Sequence, residues 1–226
     1  MKKAILLVIL TSAAVCFAQK TQTVKIGGAK PVQNSTVTEL SDAEWKVLTG
    51  ALEAEDWTKA SAVAAQYLRK LKTDNDKKQL AQLRHLRLYA LAGTILAVSG
   101  ANVPANVNAL WKELDDAASE FNGAEFVLPP HRFLNECQKR VNYICRVAGD
   151  ERALRVTATN KAGTAIHSFD YVVFDDLKPL NSLPESELFL GGTLKRIEYN
   201  QDSSKPWVMR LIFEKGFVSV VSAVNK

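Results

Sequence analysis

Histidine and cysteine are scarce in this sequence, with three residues of each in 226. His85, His131 and His167 lie far apart in the chain and form no metal-binding spacing such as HExxH. A structural zinc site needs about four ligands close together, and these residues do not supply them. The sequence therefore predicts neither a bound metal nor a cofactor.

Glycine-rich phosphate loops and paired catalytic carboxylates are also missing. Gly191 and Gly192 precede a predicted strand, whereas a phosphate loop joins a strand to a helix. The adjacent acids at 115–116 and 175–176, like Glu185 and Glu187, are typical of solvated helix or loop surfaces. Whether the protein is an enzyme is left open by these patterns, which favour a non-catalytic protein.

Long apolar runs are absent beyond the N-terminus. The most apolar later stretch, residues 88–98, is shorter than the ~20 residues that a membrane-spanning helix needs. Its length fits a buried core helix, so we predict no transmembrane segment in the mature chain.

A strong charge imbalance is absent as well. Without Lys2 and Lys3, the 29 basic residues become 27 against 24 acidic ones, an excess of +3. Nucleic-acid binding requires concentrated Lys and Arg to neutralise phosphates, so no nucleic-acid partner is expected.

Residues 1–18 have the pattern of a secretory signal peptide. Two lysines precede the apolar residues 4–10, and small residues stand before a predicted cleavage between Ala18 and Gln19. The protein is therefore expected to be exported, to the bacterial periplasm or the outside. An alternative is lipoprotein anchoring through Cys16, although Val15 is bulkier than the residue usual at that position.

Residues 19–38 are polar and lack periodicity, which predicts a flexible leader. Residues 39–123 then show four amphipathic helical stripes separated by turn signals. Ser41 and Glu44 form a capping box for the first helix, and Asp56 can cap the second. This region is predicted to form a domain of antiparallel helical hairpins.

The second stripe contains Trp57, Ala60, Ala64 and Tyr67. This spacing resembles the second helix of a tetratricopeptide repeat, and the resemblance covers residues 43–73. Thr49 stands where the repeat has glycine. The resemblance implies a degenerate helical hairpin, a structure that commonly binds other proteins.

Residues 124–226 are predicted to form a β domain. The stretch 153–175 reads as two strands, the second apolar on both faces, and further alternation follows at 193–200 and 207–213. A tight turn is expected at Lys215 and Gly216. The fold class is α+β, with helical hairpins followed by a small antiparallel β-sheet or an OB-like barrel.

Cys137 and Cys145 are the cysteines of the predicted mature chain. One continuous helix would hold them about 12 Å apart, beyond the ~7 Å limit for a disulfide. If the helix ends near Val141, the chain can fold back and join them. A disulfide and two buried thiols therefore both remain open.

The hairpin near the C-terminus groups cations with aromatics, which can bind ligands by charge and stacking. The candidate ligand-binding residues are Arg196, Tyr199, Trp207 and Arg210, with Lys195 and Lys205 nearby. Trp207 also alternates with Met209 and Leu211, a pattern typical of a core residue.

Together these patterns favour an exported, non-catalytic binding or scaffold protein of the bacterial cell envelope. Its helical domain is the expected surface for another envelope protein. One alternative is an envelope-polymer hydrolase with a site near His131 and His167. Another is a β module that binds carbohydrate or nucleic acid.

Overall fold

The computed structural model of this protein describes residues 39–71, 77–100, 107–135, 143–147, 149–159, 166–167, 170–176, 183–200 and 208–221. The predicted signal peptide, its cleavage site at Ala18 and Gln19, the leader, Cys16, Cys137 and Trp207 lie outside these residues. The described chain consists of four α-helices followed by eight β-strands, as the predicted α+β class requires.

The helices occupy the predicted region. They are α1 (Asp42–Glu53), α2 (Trp57–Lys70), α3 (Lys77–Gly100) and α4 (Val107–Glu120).

Local capping fixes where α1 and α2 begin. The Ser41 hydroxyl accepts the Glu44 amide at 3.3 Å, and the Glu44 carboxylate accepts the Ser41 amide at 2.9 Å. The Asp56 carboxylate accepts the Lys59 amide at 3.2 Å. Each bond satisfies an amide that would lack a partner inside its helix, so both predicted caps are confirmed.

Helices α1, α2 and α3 share a small apolar core. It includes Leu48 from α1, Ala60 and Ala64 from α2, and Leu83 from α3, all fully or almost fully buried. The small residues on α2 let neighbouring helices approach closely, as the predicted stripe requires.

The strands are β1 (Glu125–Val127), β2 (His131–Leu134), β3 (Tyr143–Val147), β4 (Asp150–Thr159), β5 (Ile166–His167), β6 (Asp170–Phe174), β7 (Glu187–Tyr199) and β8 (Met209–Val220). Six of them close into a barrel in the order β2-β3-β4-β6-β8-β7, because β7 pairs with both β2 and β8. β1 continues along the β7 edge that β2 occupies, and β5 pairs with β4.

The barrel is mixed, so the expectation of a simple antiparallel sheet is wrong. β2 pairs with β3 in parallel, and β6 pairs with β8 in parallel. The closed ring also has six strands, whereas an OB-fold has five. Alternation along each strand reveals its buried face but not its neighbour, which explains the error.

Strand β7 begins before residue 193, where the sequence predicts it, since residues 187–192 are also strand. Gly191 makes this possible. A Cβ atom at Gly191 would collide with the backbone carbonyl oxygen of Phe126 on β1 and would contact the Phe217 ring on β8. Glycine therefore lets three strands converge at this point.

The tight turn predicted at Lys215 and Gly216 is wrong, because β8 continues through both residues. The register shifts here, so Gly191 pairs with Phe217 but Thr193 pairs with Glu214. Lys215 has a φ of 50°. The turn signal therefore marks a β-bulge rather than a chain reversal.

Residues 132–148 have both helical spacing and strand alternation, a pattern that favours a helix giving way to a strand near Val141. The strand half is confirmed by β3, but residues 132–134 belong to strand β2. Parallel pairing with β3 stabilises these residues as a strand despite their helical spacing.

One apolar core joins the helices to the barrel. Leu91 and Ile95 of α3 and Leu114 of α4 belong to the same cluster as Phe133 and Phe213 inside the barrel. Residues Val37–Lys226 form one compact unit. Helix and strand regions therefore depend on each other for burial.

Candidate functional site

A second bulge places two neighbouring cations on the outer face of the barrel. Leu194 pairs with Phe213 and Arg196 with Ile212, so Lys195 is the extra residue of β7. In a regular strand Lys195 and Arg196 would point to opposite faces. Both are exposed instead, and both contact the carboxylate of Asp175.

These cations belong to a surface that we name the charged face. Its members are Arg152, Asp175, Lys195, Arg196, Glu198 and Arg210.

Opposite charges alternate across the charged face. The Lys195 ammonium lies 2.7 Å and the Arg196 guanidinium 3.8 Å from Asp175 Oδ2. On its other side, Arg196 contacts Glu198 at 2.9 Å. Arg210 reaches Glu198 at 4.0 Å. Each of these side chains is partly exposed, so water screens the pairs and each contributes little to stability.

An apolar row lies on the same side of the sheet. Ala153, Val173 and Ile212 are neighbours across β4, β6 and β8, and they form a small buried cluster. Arg196 is paired in register with Ile212. Long charged side chains commonly cover apolar surface with their aliphatic stems while their charged groups remain in water. The charged face thus has a structural role beside any binding role.

The cations of the charged face lower the pKa of Asp175. The hydrogen bond from Lys195 lowers the pKa of the Asp175 carboxyl, and the positive charges of Lys195, Arg196 and Arg152 lower it further. These effects exceed the opposing effect of partial desolvation.

Tyr199 does not share this face. Its ring packs edge-on against Trp111 of α4, with ring centres 5.6 Å apart, and its hydroxyl donates to Asp115 at 3.0 Å. Burial, followed by the bond to the Asp115 carboxylate, raises the pKa of the Tyr199 hydroxyl. The structure therefore brings Arg196 and Arg210 together and places Tyr199 at the contact between barrel and helix. Trp207 lies outside the described residues.

The histidines proposed for a hydrolytic site are not neighbours along the sheet. His131 lies on β2, where its Nδ1 is 2.6 Å from the carbonyl oxygen of Pro129. His167 lies on β5, which pairs with β4. β3 and β4 separate the two histidine-bearing strands along the sheet.

Cys145 on β3 is disulfide-bonded. Its pairing with Cys137 stays a prediction, because Cys137 lies outside the described residues. Such a bond would link β3 to the segment that connects it with the parallel strand β2.

Within the described residues, no group of three His, Cys, Asp or Glu side chains is arranged to hold a metal ion.

None of the helices that the structure describes combines the length and apolarity needed to cross a membrane.

Comparison with protein-family models, curated proteins and solved structures finds no match for this chain. The candidate sites therefore rest on the geometry of the chain itself.

One exposed side of α1 is a second candidate surface, which we name the α1 stripe. It consists of Ala43, Val47, Gly50 and Ala54. Their spacing of four, three and four residues places them in one line along the helix. All four are exposed, and Val47 is 46% exposed.

Gly50 has no structural requirement within the described chain. A Cβ atom added there would meet nothing within 4 Å. Glycine inside an exposed helix costs about 1 kcal/mol relative to alanine, so its presence is unfavourable for the isolated protein.

Sequence reasoning missed Arg152 and Asp175 as members of the charged face. Asp175 was interpreted as ordinary solvated charge, and Arg152 donates to its backbone carbonyl from a different strand, at 3.1 Å. Pairing between β4 and β6 brings these residues together, and no local pattern signals that pairing.

Proposed function

We propose that this chain is an exported, non-catalytic binding protein of the bacterial cell envelope that uses the α1 stripe to bind another envelope protein. The observation that carries the proposal is an exposed valine in line with an exposed helical glycine and two alanines. Small side chains permit close approach of a second helix, and Val47 supplies apolar area that such contact would bury.

The position of α1 in the helical layer supports this role. α1 packs extensively on α2, and α2 packs extensively on α3. Leu48 and Ala51 on the inner side of α1 are buried, while the stripe residues on an adjoining side of the helix are exposed. A helix that completes one hairpin thus offers an exposed side to a further helix, as hairpin arrays do. The resemblance to a tetratricopeptide hairpin agrees with this use of the surface.

The export part of the proposal rests on the predicted signal peptide. Fractionation of cells that produce the chain tests it, because cleavage after Ala18 would leave an N-terminal Gln19 in the envelope fraction. A chain retained in the cytoplasm with Met1 intact would contradict it.

The binding part is tested by cross-linking the purified chain to native envelope extract. Val47→Lys places a charge at the centre of the α1 stripe, so we expect loss of the cross-linked partner. Val220→Lys is the matched control, because Val220 is 50% exposed on β8, away from the stripe. Recovery of the same partner by both variants, or by neither variant nor wild type, would contradict the proposal.

Gly50→Ala provides a second, independent test. If Gly50 is present for close approach of a partner, alanine should raise the free energy of unfolding by about 0.5–1 kcal/mol. The same substitution should weaken binding of the partner. Because the change stabilises the free protein, lost binding cannot be attributed to unfolding. Gains in both stability and binding would exclude the α1 stripe as the contact.

A further inference from the structure

The charged face carries more positive charge than its own carboxylates neutralise. Arg152, Lys195, Arg196 and Arg210 supply four cations, whereas Asp175 and Glu198 supply two anions, an excess of +2. The four cations lie on β4, β7 and β8.

The cations converge most closely around Asp175. Lys195 and Arg196 contact the same carboxylate oxygen, Oδ2. Arg152 approaches from β4 and donates to the Asp175 backbone carbonyl, so its hydrogen bond does not occupy a carboxylate oxygen. Three cations therefore surround one anion, an arrangement that retains attraction for a second anion.

Both strand geometry and exposure make this cluster accessible. The bulge at Lys195 holds two consecutive cations on the outer face, and about half of each side chain is exposed. Guanidinium and ammonium groups in this geometry can donate several hydrogen bonds to one oxyanion.

We propose that Arg152, Lys195 and Arg196 form a binding site for an oxyanion, a carboxylate or phosphate group carried by a ligand outside the cell. Asp175 holds the cations together and competes with the ligand for them. This site is separate from the α1 stripe, and it does not depend on the protein-binding function proposed above.

Competition between Asp175 and the ligand for the three cations can be tested by substitution. Replacing Asp175 by Asn removes the internal anion while retaining a side chain of similar size. Anion affinity should therefore rise, by about threefold or more, because the three cations lose their internal partner. A purely structural ion-pair cluster would show lower stability without any gain in anion affinity.

The test is a titration of the folded, exported-length chain with inorganic phosphate and with citrate, at low ionic strength, followed by amide chemical shifts in NMR. We expect saturable shifts centred on residues 152, 175, 195 and 196. Lys195→Gln should weaken binding about threefold or more, and Asp175→Asn should strengthen it. Tighter citrate binding identifies a carboxylate ligand, and tighter phosphate binding identifies a phosphate-bearing one.

Lys112→Gln is the matched control. Lys112 is an exposed lysine of α4 that forms an ion pair with Asp116 at 2.6 Å, so its loss changes the net charge equally. An equal loss of affinity in Lys112→Gln would overturn the site, because general electrostatics would then explain the binding. Absence of saturable shifts, or weaker binding by a folded Asp175→Asn variant, would overturn it as well.

Discussion

At the scale of single residues, Glu44 connects the start of α1 to the end of α2. Its carboxylate accepts the amide and hydroxyl of Ser41 and lies 2.6 Å from the Lys70 ammonium. The bond to Lys70, followed by those to Ser41, lowers the pKa of Glu44 to about 2. The Ser41 contact was predictable from the local motif, but the Lys70 contact was not, because it spans two helices.

Glu44 should therefore make folding sensitive to acid. Its folded pKa is below its unfolded value near 4.5, so its contribution is present above that value and disappears as the pH falls towards 2. Glu44→Gln should lower stability at pH 7 and flatten the decline between about pH 4.5 and pH 2. Urea denaturation at several pH values measures both effects.

Glu53→Gln is the comparison for this experiment, since Glu53 is an exposed carboxylate near the other end of α1. We expect its acid profile to follow that of the wild type. A Glu44→Gln profile that also follows wild type would show that the Lys70 and Ser41 contacts do not couple to folding.

At the scale of elements, the bulge in β8 is stabilised by a carboxylate that lies outside that strand. Asp176, just after β6, accepts the Lys215 amide at 2.5 Å and the Gly216 amide at 3.2 Å. Lys215 has a positive φ, a conformation that costs a side-chain-bearing residue about 1 kcal/mol. The two hydrogen bonds help to offset that cost.

Two substitutions at this bulge should change stability in opposite directions. Asp176→Ala removes both acceptors and should destabilise by about 1–2 kcal/mol, towards the lower end of the usual range because the site is exposed. Lys215→Gly relieves the backbone conformation and should stabilise by up to about 1 kcal/mol. Chemical denaturation of the two variants gives both values.

Asp116→Ala removes an exposed carboxylate on α4 and serves as the control, with an expected change below about 0.5 kcal/mol. Equal effects of Asp116→Ala and Asp176→Ala would contradict a specific role for the bulge contact.

Elements were more predictable than their pairing. Capping residues and helical stripes located all four described helices, and alternation located much of β4, β7 and β8. Burial of Val172 and Phe174 was also predictable, since an apolar strand on both faces must be central. The parallel pairs could not be predicted. The order of strands in the ring depends on which strands, far apart in sequence, pair so that few edges stay exposed.

The candidate surfaces were likewise predictable where local spacing decides them, and unpredictable where distant contacts do. Arg196 and Arg210 lie on one face, as their spacing along two paired strands allows. Tyr199 was grouped with them, yet it contacts Trp111 and Asp115 on α4. Local spacing could not reveal this helix contact, which depends on how α4 packs against the barrel.

At the scale of the whole molecule, the shared core should make the helices and the barrel unfold together. Leu114 of α4 is fully buried in the cluster that includes barrel residues. Leu114→Ala should cost about 2–5 kcal/mol through lost burial and a residual cavity. We expect helix content and barrel tertiary signals to shift to the same lower denaturant midpoint.

Leu83→Ala is the matched comparison, because Leu83 is equally buried but belongs to the core of α1, α2 and α3. If helices and barrel form one cooperative unit, this variant should also lower both midpoints together. Separate midpoints for helix loss and barrel loss would show two folding units instead of one.

Strand β8 has a consequence for the order in which the protein can assemble. It pairs with β6 on one edge and β7 on the other, so it forms two of the six seams of the ring. During synthesis the chain emerges from the ribosome N-terminus first, so the helices and the earlier strands become available before residue 209. Until β8 arrives, β6 and β7 each keep an open edge that can recruit strands from other chains. Ring closure is therefore a late event, and chains truncated within β8 should accumulate as aggregates rather than as smaller folded proteins.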